Sequence, residues 1–338
     1  MIEGIILAIG AGLMLGLYAL PEKFTKDFKF ENTWGLFFIL TMFLVPVIAS
    51  LTLIQGFGDI FARLPIDIIL KMAGASVLWG IGVMMWGKAI NHIGLSLGFS
   101  LFIGTVLLVG SLLPFVVDQI PPRNTFLTIL GGLAIVLIGV FANGKAGLIR
   151  EKDQKESGEN QNKGSVLTGI LIAVIGGLLA TGFSYANAVG RPIIHEACQD
   201  LGNAEWITAV AVMFPIFISG GVVMAIYFAY EITKKKSWGS FKTPAFAQNF
   251  GLISIMAVFH YAASALFAYA AFKLGEVGNT VGYAIFNTAC VVTAIVSGLL
   301  TKEWVTASSK ARKFLYIGLA CMVIGIIVIS IGNGIEKV

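Results

Sequence analysis

The stretch GLSLGFSLF, Gly94 to Phe102, returns late in the chain as GNTVGYAIF, Gly278 to Phe286, with three identities and several conservative pairs. Two other segments repeat in the same order. Gly4-Ile5, Ala8 and Gly12-Leu13 recur as Gly169-Ile170, Ala173 and Gly177-Leu178, and Gly132-Leu133-Ala134 with Ile138-Gly139 recurs as Gly318-Leu319-Ala320 with Ile324-Gly325. Three matches in one order argue for an internal duplication. Between the copies lies the one long hydrophilic stretch, which contains REKDQKESGENQNKGS (Arg150 to Ser165) and divides the chain into equal halves.

The duplicated segments are apolar, and so is nearly everything around them. Hydrophobic side chains make up 57% of the 338 residues and charged ones 12%, too few to solvate a globular surface, so the chain needs lipid as its solvent. Apolar blocks fall at about 4–20, 33–54, 68–90, 93–117, 126–143, 165–189, 206–230, 247–272, 277–300 and 314–332. Each is near the roughly 20 residues a helix needs to cross a bilayer. The fold class expected is therefore an all-α membrane protein of ten transmembrane helices. Pro21, the Asp118 to Arg123 stretch and Pro192 read as span edges, where a missing N–H does least harm.

Numbering the connections segregates the cations. Arg63, Lys71, Arg123, Arg191, Lys273 and Lys337 fall on one side and the other seventeen Lys and Arg residues on the opposite side. That bias places the second side in the cytoplasm and both termini in the periplasm of a bacterial inner-membrane protein. It also excludes a nucleic-acid reading of the +5 net charge. Acidic Glu3 stands where a signal peptide would be basic, so the first block reads as an uncleaved helix. The expected organisation is a first five-helix repeat at 1–143, a cytoplasmic linker at 144–164 and a second five-helix repeat at 165–338. Five is odd, so the second copy enters the membrane inverted, and inverted repeats are an architecture of alternating access. A small polar solute is the expected cargo. Gly4, Ala8, Gly12 and Gly16 form a small-residue ladder that suits close packing or sliding of the first helix.

Further strings carry a family resemblance. Tyr18-Ala-Leu-Pro21 is followed by Lys23, Lys26, Glu31 and Trp34; LWGIG (Leu78 to Gly82) leads through Gly87 into Gly94-Leu-Ser96-Leu-Gly98. Then come Ile103-Gly104, Leu108-Val109-Gly110 and Pro114; Gly182-Phe-Ser184, Asn187, Pro192 and His195-Glu196; and Lys302-Glu303-Trp304. Together and in order these resemble the L-rhamnose-proton symporter family of the drug/metabolite transporter superfamily, along nearly the whole chain. The resemblance implies uptake of a deoxyhexose sugar with a proton through a ten-helix bundle with a central cavity. Where rhamnose carriers of that family have aromatic and Gln residues on the eighth span and a His on the ninth, this chain has His260, Ala263 and Phe286, which leaves the sugar open.

A sugar site needs hydroxyl-matching donors and acceptors, with flat apolar faces for the C–H side of the ring. At mid-membrane depth the candidates are Trp79 and Trp86, seven apart on one helix face; Ser184, Tyr185 and Asn187; His260 and Tyr261; and Tyr283 and Asn287. The amide of Asn287, deep in a span, calls for a defined partner, across helices or in a ligand. All 18 Asp and Glu residues lie in loops or near span ends, so His260 is the deep group able to titrate near neutral pH and the first candidate for proton coupling. Glu22 is the second. Arg191, His195 and Glu196, at the outer end of the sixth span, read as a gate or a structural ion pair. A sodium site using Asn287 and Thr288 is an open alternative for the coupling ion, and a nucleotide-sugar or amino-acid carrier for the solute. A nucleotide sugar would want a deep Lys or Arg, which these spans lack. Neither a DxxD nor an HExxH motif appears, so no metal site, cofactor or enzyme is expected. Cys198, Cys290 and Cys321 are too scattered for a disulfide framework.

Overall fold

The computed structural model describes residues 2–113, 121–155, 166–275, 278–300, 304–305 and 307–334. Among them every regular element is helical. Helix α1 (Ile2–Leu17) ends in a 3₁₀ turn at Leu20–Phe24, and α2 (Phe30–Ile39) continues through a π-turn, Leu40–Leu44, into α3 (Val45–Leu53). The short α4 (Phe57–Ala62) precedes α5 (Ile66–Leu112), α6 (Arg123–Lys155), α7 (Val166–Ala180) and α8 (Gly182–Asp200). Then follow α9 (Glu205–Lys234), α10 (Phe246–Leu274), a second π-turn at Gly278–Gly282, α11 (Tyr283–Leu300) and α12 (Ser309–Gly334). Nine of the described helical runs are long and apolar enough to cross a membrane, and Leu101–Leu112 is a shorter apolar run. The chain is a multi-pass membrane protein. The run Leu101–Leu112 is part of the expected fourth span, 93–117, of which the side chains of 94–97, 99 and 100 and all of 114–117 lie outside the described residues.

The 47 residues of α5 would span about 70 Å if straight, more than twice a hydrocarbon core. They are not straight. The rings of Trp86 and Phe102 lie 5.9 Å apart, whereas sixteen residues of straight helix would separate them by about 24 Å. Two adjacent residues of α7 report the same reversal. A β-carbon on Gly176 would lie 2.9 Å from Met85 Cβ, and one on Gly177 would lie 2.8 Å from the Phe102 carbonyl oxygen. The segment therefore doubles back between Trp86 and Phe102, with α7 against both limbs.

Lipid gives helices no hydrophobic reason to associate, so small residues that let backbones approach hold the bundle together. Helix α1 closes on α11 where a Gly12 β-carbon would meet the Phe286 carbonyl oxygen at 2.6 Å. Gly4 of the same helix faces Ala270 and Leu274 of α10. Helices α6 and α12 pair through Gly132 against Gly325 and Ile329, and through Gly139 against Gly318 and Met322.

Two boundaries depart from the sequence reading. Helix α6 runs on to Lys155, twelve residues past the expected span and into the hydrophilic stretch, of which 156–165 lie outside the described residues. Pro192 stands inside α8 rather than at a span edge. The side chains on either side of it reach other elements: Arg191 Nη1 donates to Asn279 Oδ1 at 3.2 Å, and His195 Nδ1 lies 3.0 Å from Thr208 Oγ1.

Both ends of the bundle are tied. At one, Lys26 and Asn249 exchange two hydrogen bonds, at 3.0 and 2.7 Å, and Asn32 Nδ2 donates to the Ser237 carbonyl at 2.9 Å. Lys235 pairs there with buried Glu31 at 3.3 Å. Burial works against the Lys235 ammonium, but the hydrogen bonds and charges of Glu31 and Glu231 outweigh it and hold its pKa above the ordinary lysine value. At the other end the Asn203 amide brackets the Gln55 backbone at 2.8 and 2.9 Å, and Lys273 pairs with Glu205 at 2.6 Å.

Candidate functional site

Four elements converge on one imidazole. His260 of α10 is half-buried, and its ring centroid lies 5.1 Å from Tyr18 beyond α1, 5.4 Å from Phe37 of α2 and 5.5 Å from Phe217 of α9. Thr41, in the first π-turn and fully buried, brings its hydroxyl to 3.0 Å from His260 Nδ1. A hydroxyl and an imidazole are thus set among three aromatic rings, the mixture of flat apolar surface and few polar atoms that ligand sites use.

The aromatic wall extends in two directions. Trp34 lies 5.3 Å from Phe37 and 6.2 Å from Tyr18, and its Nε1 donates to Glu22 Oε1 at 2.7 Å. On the other side Trp79 of α5 stands 5.5 Å from Phe217 and 5.2 Å from Phe183, which in turn neighbours Phe267 at 5.9 Å. Gly220 gives the indole its seat, since a β-carbon there would lie 2.8 Å from Trp79 Cε3. Phe267 carries the wall to α11, 4.9 Å from Phe286 and 5.6 Å from Tyr283.

Of the residues singled out in the sequence, His260, Trp79, Glu22 and Tyr283 therefore join one continuous wall. Tyr261 packs on Phe217 at 5.0 Å, but its hydroxyl donates to the Val210 carbonyl at 3.1 Å. Trp86 faces Phe102 where the two limbs of α5 meet. Asn287, expected to have a defined partner, spends its amide on its own helix, donating to the Tyr283 carbonyl at 2.9 Å.

A second polar group forms on α8. Ser184, Asn187 and Arg191 share one face of that helix: Ser184 Oγ donates to the Gly110 carbonyl at 3.2 Å, and Asn187 Nδ2 donates to Asn279 Oδ1 at 2.9 Å beside Arg191. Tyr185, between them in sequence, is half-buried on a different face. Arg191 bonds to Asn279 and His195 to Thr208, while Glu196 is exposed. Lys302 and Glu303, and the side chain of Ser96, lie outside the described residues.

Sequence reasoning missed Thr41, Phe37, Phe217 and Asn279. Thr41 is the one polar residue in the run FFILTMFL (Phe37 to Leu44), a signal that a buried hydroxyl deserved weight. Asn279 sits inside the repeated string GNTVGYAIF, where its copy is Leu95, so a departure between the two repeats marked it. Nothing in sequence distinguishes Phe37 and Phe217 from other apolar residues.

Apolar spans around a buried centre of aromatic rings, hydroxyls and an imidazole define the class of protein: a multi-pass helical membrane transporter. The profile of the L-rhamnose-proton symport proteins matches residues 1–336, and the chain belongs to that family. It is similar to the L-rhamnose-proton symporter of Escherichia coli (strain 55989 / EAEC), 24% identical over 335 residues, covering 96% of this chain and 95% of that one. The L-rhamnose-proton symporter of Shigella boydii serotype 18 (strain CDC 3083-94 / BS512) matches at the same identity and coverage. The family is one of transporters, not enzymes.

Proposed function

We propose that this chain imports a deoxyhexose sugar such as L-rhamnose together with a proton, by alternating access, across a bacterial inner membrane with both termini periplasmic. The relatives' names support the sugar and the proton. The observation that carries the reading is the setting of His260: one titratable ring among Tyr18, Phe37 and Phe217, hydrogen-bonded on one nitrogen to Thr41. The aromatic faces suit the C–H side of a pyranose, and the imidazole suits its hydroxyls. Trp79 continues the sugar-facing wall, and Glu22, held by Trp34, stands on the proton's path.

The reading includes ten crossings, as inverted repeats 1–143 and 165–338 joined by a cytoplasmic linker at 144–164. The reversal within α5 supports ten. Reciprocal contacts support the repeat: the sequence pairs Gly12 with Gly177 and Phe102 with Phe286, and Gly12 approaches the Phe286 carbonyl as Gly177 approaches that of Phe102. Likewise Gly132 faces Gly325 while Gly318, the copy of Gly132, is faced by Gly139, the copy of Gly325. Two such halves, inverted, supply the two related conformations that open a central site to each side in turn.

The test is sugar affinity of purified protein from pH 5 to 8, in the parent and in His260→Gln, with and without sodium. Proton and sugar that favour one another give an affinity that rises as pH falls, flat in His260→Gln and indifferent to sodium. PH dependence that survives the substitution moves coupling to Glu22, sodium dependence replaces the ion, and failure to bind any deoxyhexose overturns the reading.

A further inference from the structure

Hydroxyls within helices commonly bond back to the preceding turn of their own chain. Ser76, Thr105, Thr128, Thr233, Thr288 and Ser330 all do so here, to the carbonyl four residues earlier. Thr41 does not. It stands in the π-turn Leu40–Leu44, where one extra residue per turn rotates the side chains out of helical register, and its hydroxyl crosses to α10. There it meets two groups at once, the Ala257 carbonyl at 3.2 Å and His260 Nδ1 at 3.0 Å.

A hydroxyl has one hydrogen to give and lone pairs to receive with. The Ala257 carbonyl can only accept, so that hydrogen goes to it. The hydroxyl oxygen is then an acceptor towards His260, and Nδ1 must carry the hydrogen. In neutral imidazole only one nitrogen does, so Nε2 is left with its lone pair. The ring is kept from turning over by Tyr18, Phe37 and Phe217, and the backbone beneath it is held by Ser264 Oγ, which donates to the His260 carbonyl at 3.0 Å.

We propose that Thr41 is a positioning residue: it fixes the Nδ1–H tautomer of His260, so that Nε2 is the atom that takes the coupling proton and meets the sugar hydroxyl. The inference rests on the reading of His260 as the coupling group and goes beyond it by naming the atom and the residue that selects it. With Nε2 unprotonated, the lone pair accepts from a sugar hydroxyl. When a proton arrives at Nε2 the imidazolium donates from both nitrogens, Nδ1 still to Thr41 and Nε2 to a sugar oxygen. No bond to Thr41 has to break, so the second half of the cycle starts from the same ring orientation as the first.

The neighbours leave this role to the imidazole. From α2 and α9 the ring is met by Phe37 and Phe217, which do not titrate. From beyond α1 it meets Tyr18, which lies within electrostatic reach of Cys290 on α11 and of Glu22. Glu22 itself is bound by Trp34 Nε1, and on α10 the Tyr261 hydroxyl is turned to Val210.

The chain has three histidines, so histidine-selective ¹⁵N labelling of the full-length protein in nanodiscs resolves each, with His92→Gln and His195→Gln giving the assignments. Spectra without sugar, at a pH where His260 is neutral, report which nitrogen carries the hydrogen. The expected result is Nδ1–H in the parent and in Thr41→Ser, and loss of that preference in Thr41→Val. Thr41→Val should also weaken sugar binding about tenfold and displace the pH midpoint of affinity, while Thr41→Ser restores both. An Nε2–H tautomer in the parent overturns the proposal even if no variant folds, and so does an unchanged tautomer in Thr41→Val. A protein with the expected tautomer whose sugar affinity ignores His260→Gln leaves the role of Thr41 in tautomer selection standing and removes the coupling reading instead.

Discussion

Substituting alanine at Gly12 and at Gly177 tests the packing and the relation between the halves together. At Gly12 the new β-carbon would stand 2.5 Å from Ala289 Cβ and 2.6 Å from the Phe286 carbonyl oxygen. At Gly177 it would stand 2.8 Å from both the Phe102 carbonyl oxygen and Thr105 Cβ. An unstrained carbon–oxygen contact needs about 3.3 Å and a carbon–carbon contact about 3.5 Å, and the carbon–carbon contacts are limiting, so α1 must retreat from α11 by about 1.0 Å and α7 from the second limb of α5 by about 0.7 Å. The obstacles are backbone or Cβ atoms, which cannot rotate aside. Overpacking of this kind costs about 1–3 kcal/mol at each site, and the two costs should add because the interfaces are separate. Gly10→Ala is the control: its β-carbon would meet Leu266 Cδ2 at a comfortable 3.7 Å, so alanine's helix propensity should leave it neutral or stabilised by up to about 1 kcal/mol. Thermal unfolding in detergent, read by intrinsic tryptophan fluorescence, ranks the variants. Gly12→Ala as stable as Gly10→Ala refutes the packing argument; a loss at Gly12 with none at Gly177 refutes the equivalence of the two contacts.

Trp79→Ala should weaken sugar binding by about 1–3 kcal/mol by removing a flat face from the wall, whereas Asn287→Ala, which loses only a bond to its own helix, should change affinity by less than about 1 kcal/mol; calorimetric titration that reverses this order would place the sugar against α11 instead. In a background with Cys198, Cys290 and Cys321 replaced by serine, a cysteine at exposed Lys236 should resist an impermeant reagent in intact cells and one at exposed Asp200 should react, and the opposite pattern would invert the topology.

The spans were legible because lipid imposes one strong rule, about twenty apolar residues per crossing, and the chain obeys it block by block. The exceptions have local causes. The sixth span reads short because Arg191, His195 and Glu196 interrupt hydropathy, yet α8 continues through them to Asp200, with Arg191 and His195 bonded to Asn279 and Thr208, partners that no hydropathy window contains. His260 stood out as a titratable group alone in an apolar run, and Trp79 as a large amphipathic ring at mid-depth. Asn287 stood out equally, but a buried amide can be satisfied by its own helix four residues back, and sequence does not say which partner it takes.

The sequence by itself determined the solvent, the helical class and the strongest titratable candidate, since each follows from composition or period along one dimension. Only the tertiary structure decided that Tyr18, Phe37, Thr41 and Phe217 surround that candidate, because they come from residues up to 242 positions away and meet it solely through helix packing. It also decided which way a hydroxyl points. In a regular helix Thr41 would have bonded back to Phe37; one π-turn in an apolar span rotates it onto α10 and gives the imidazole a defined partner.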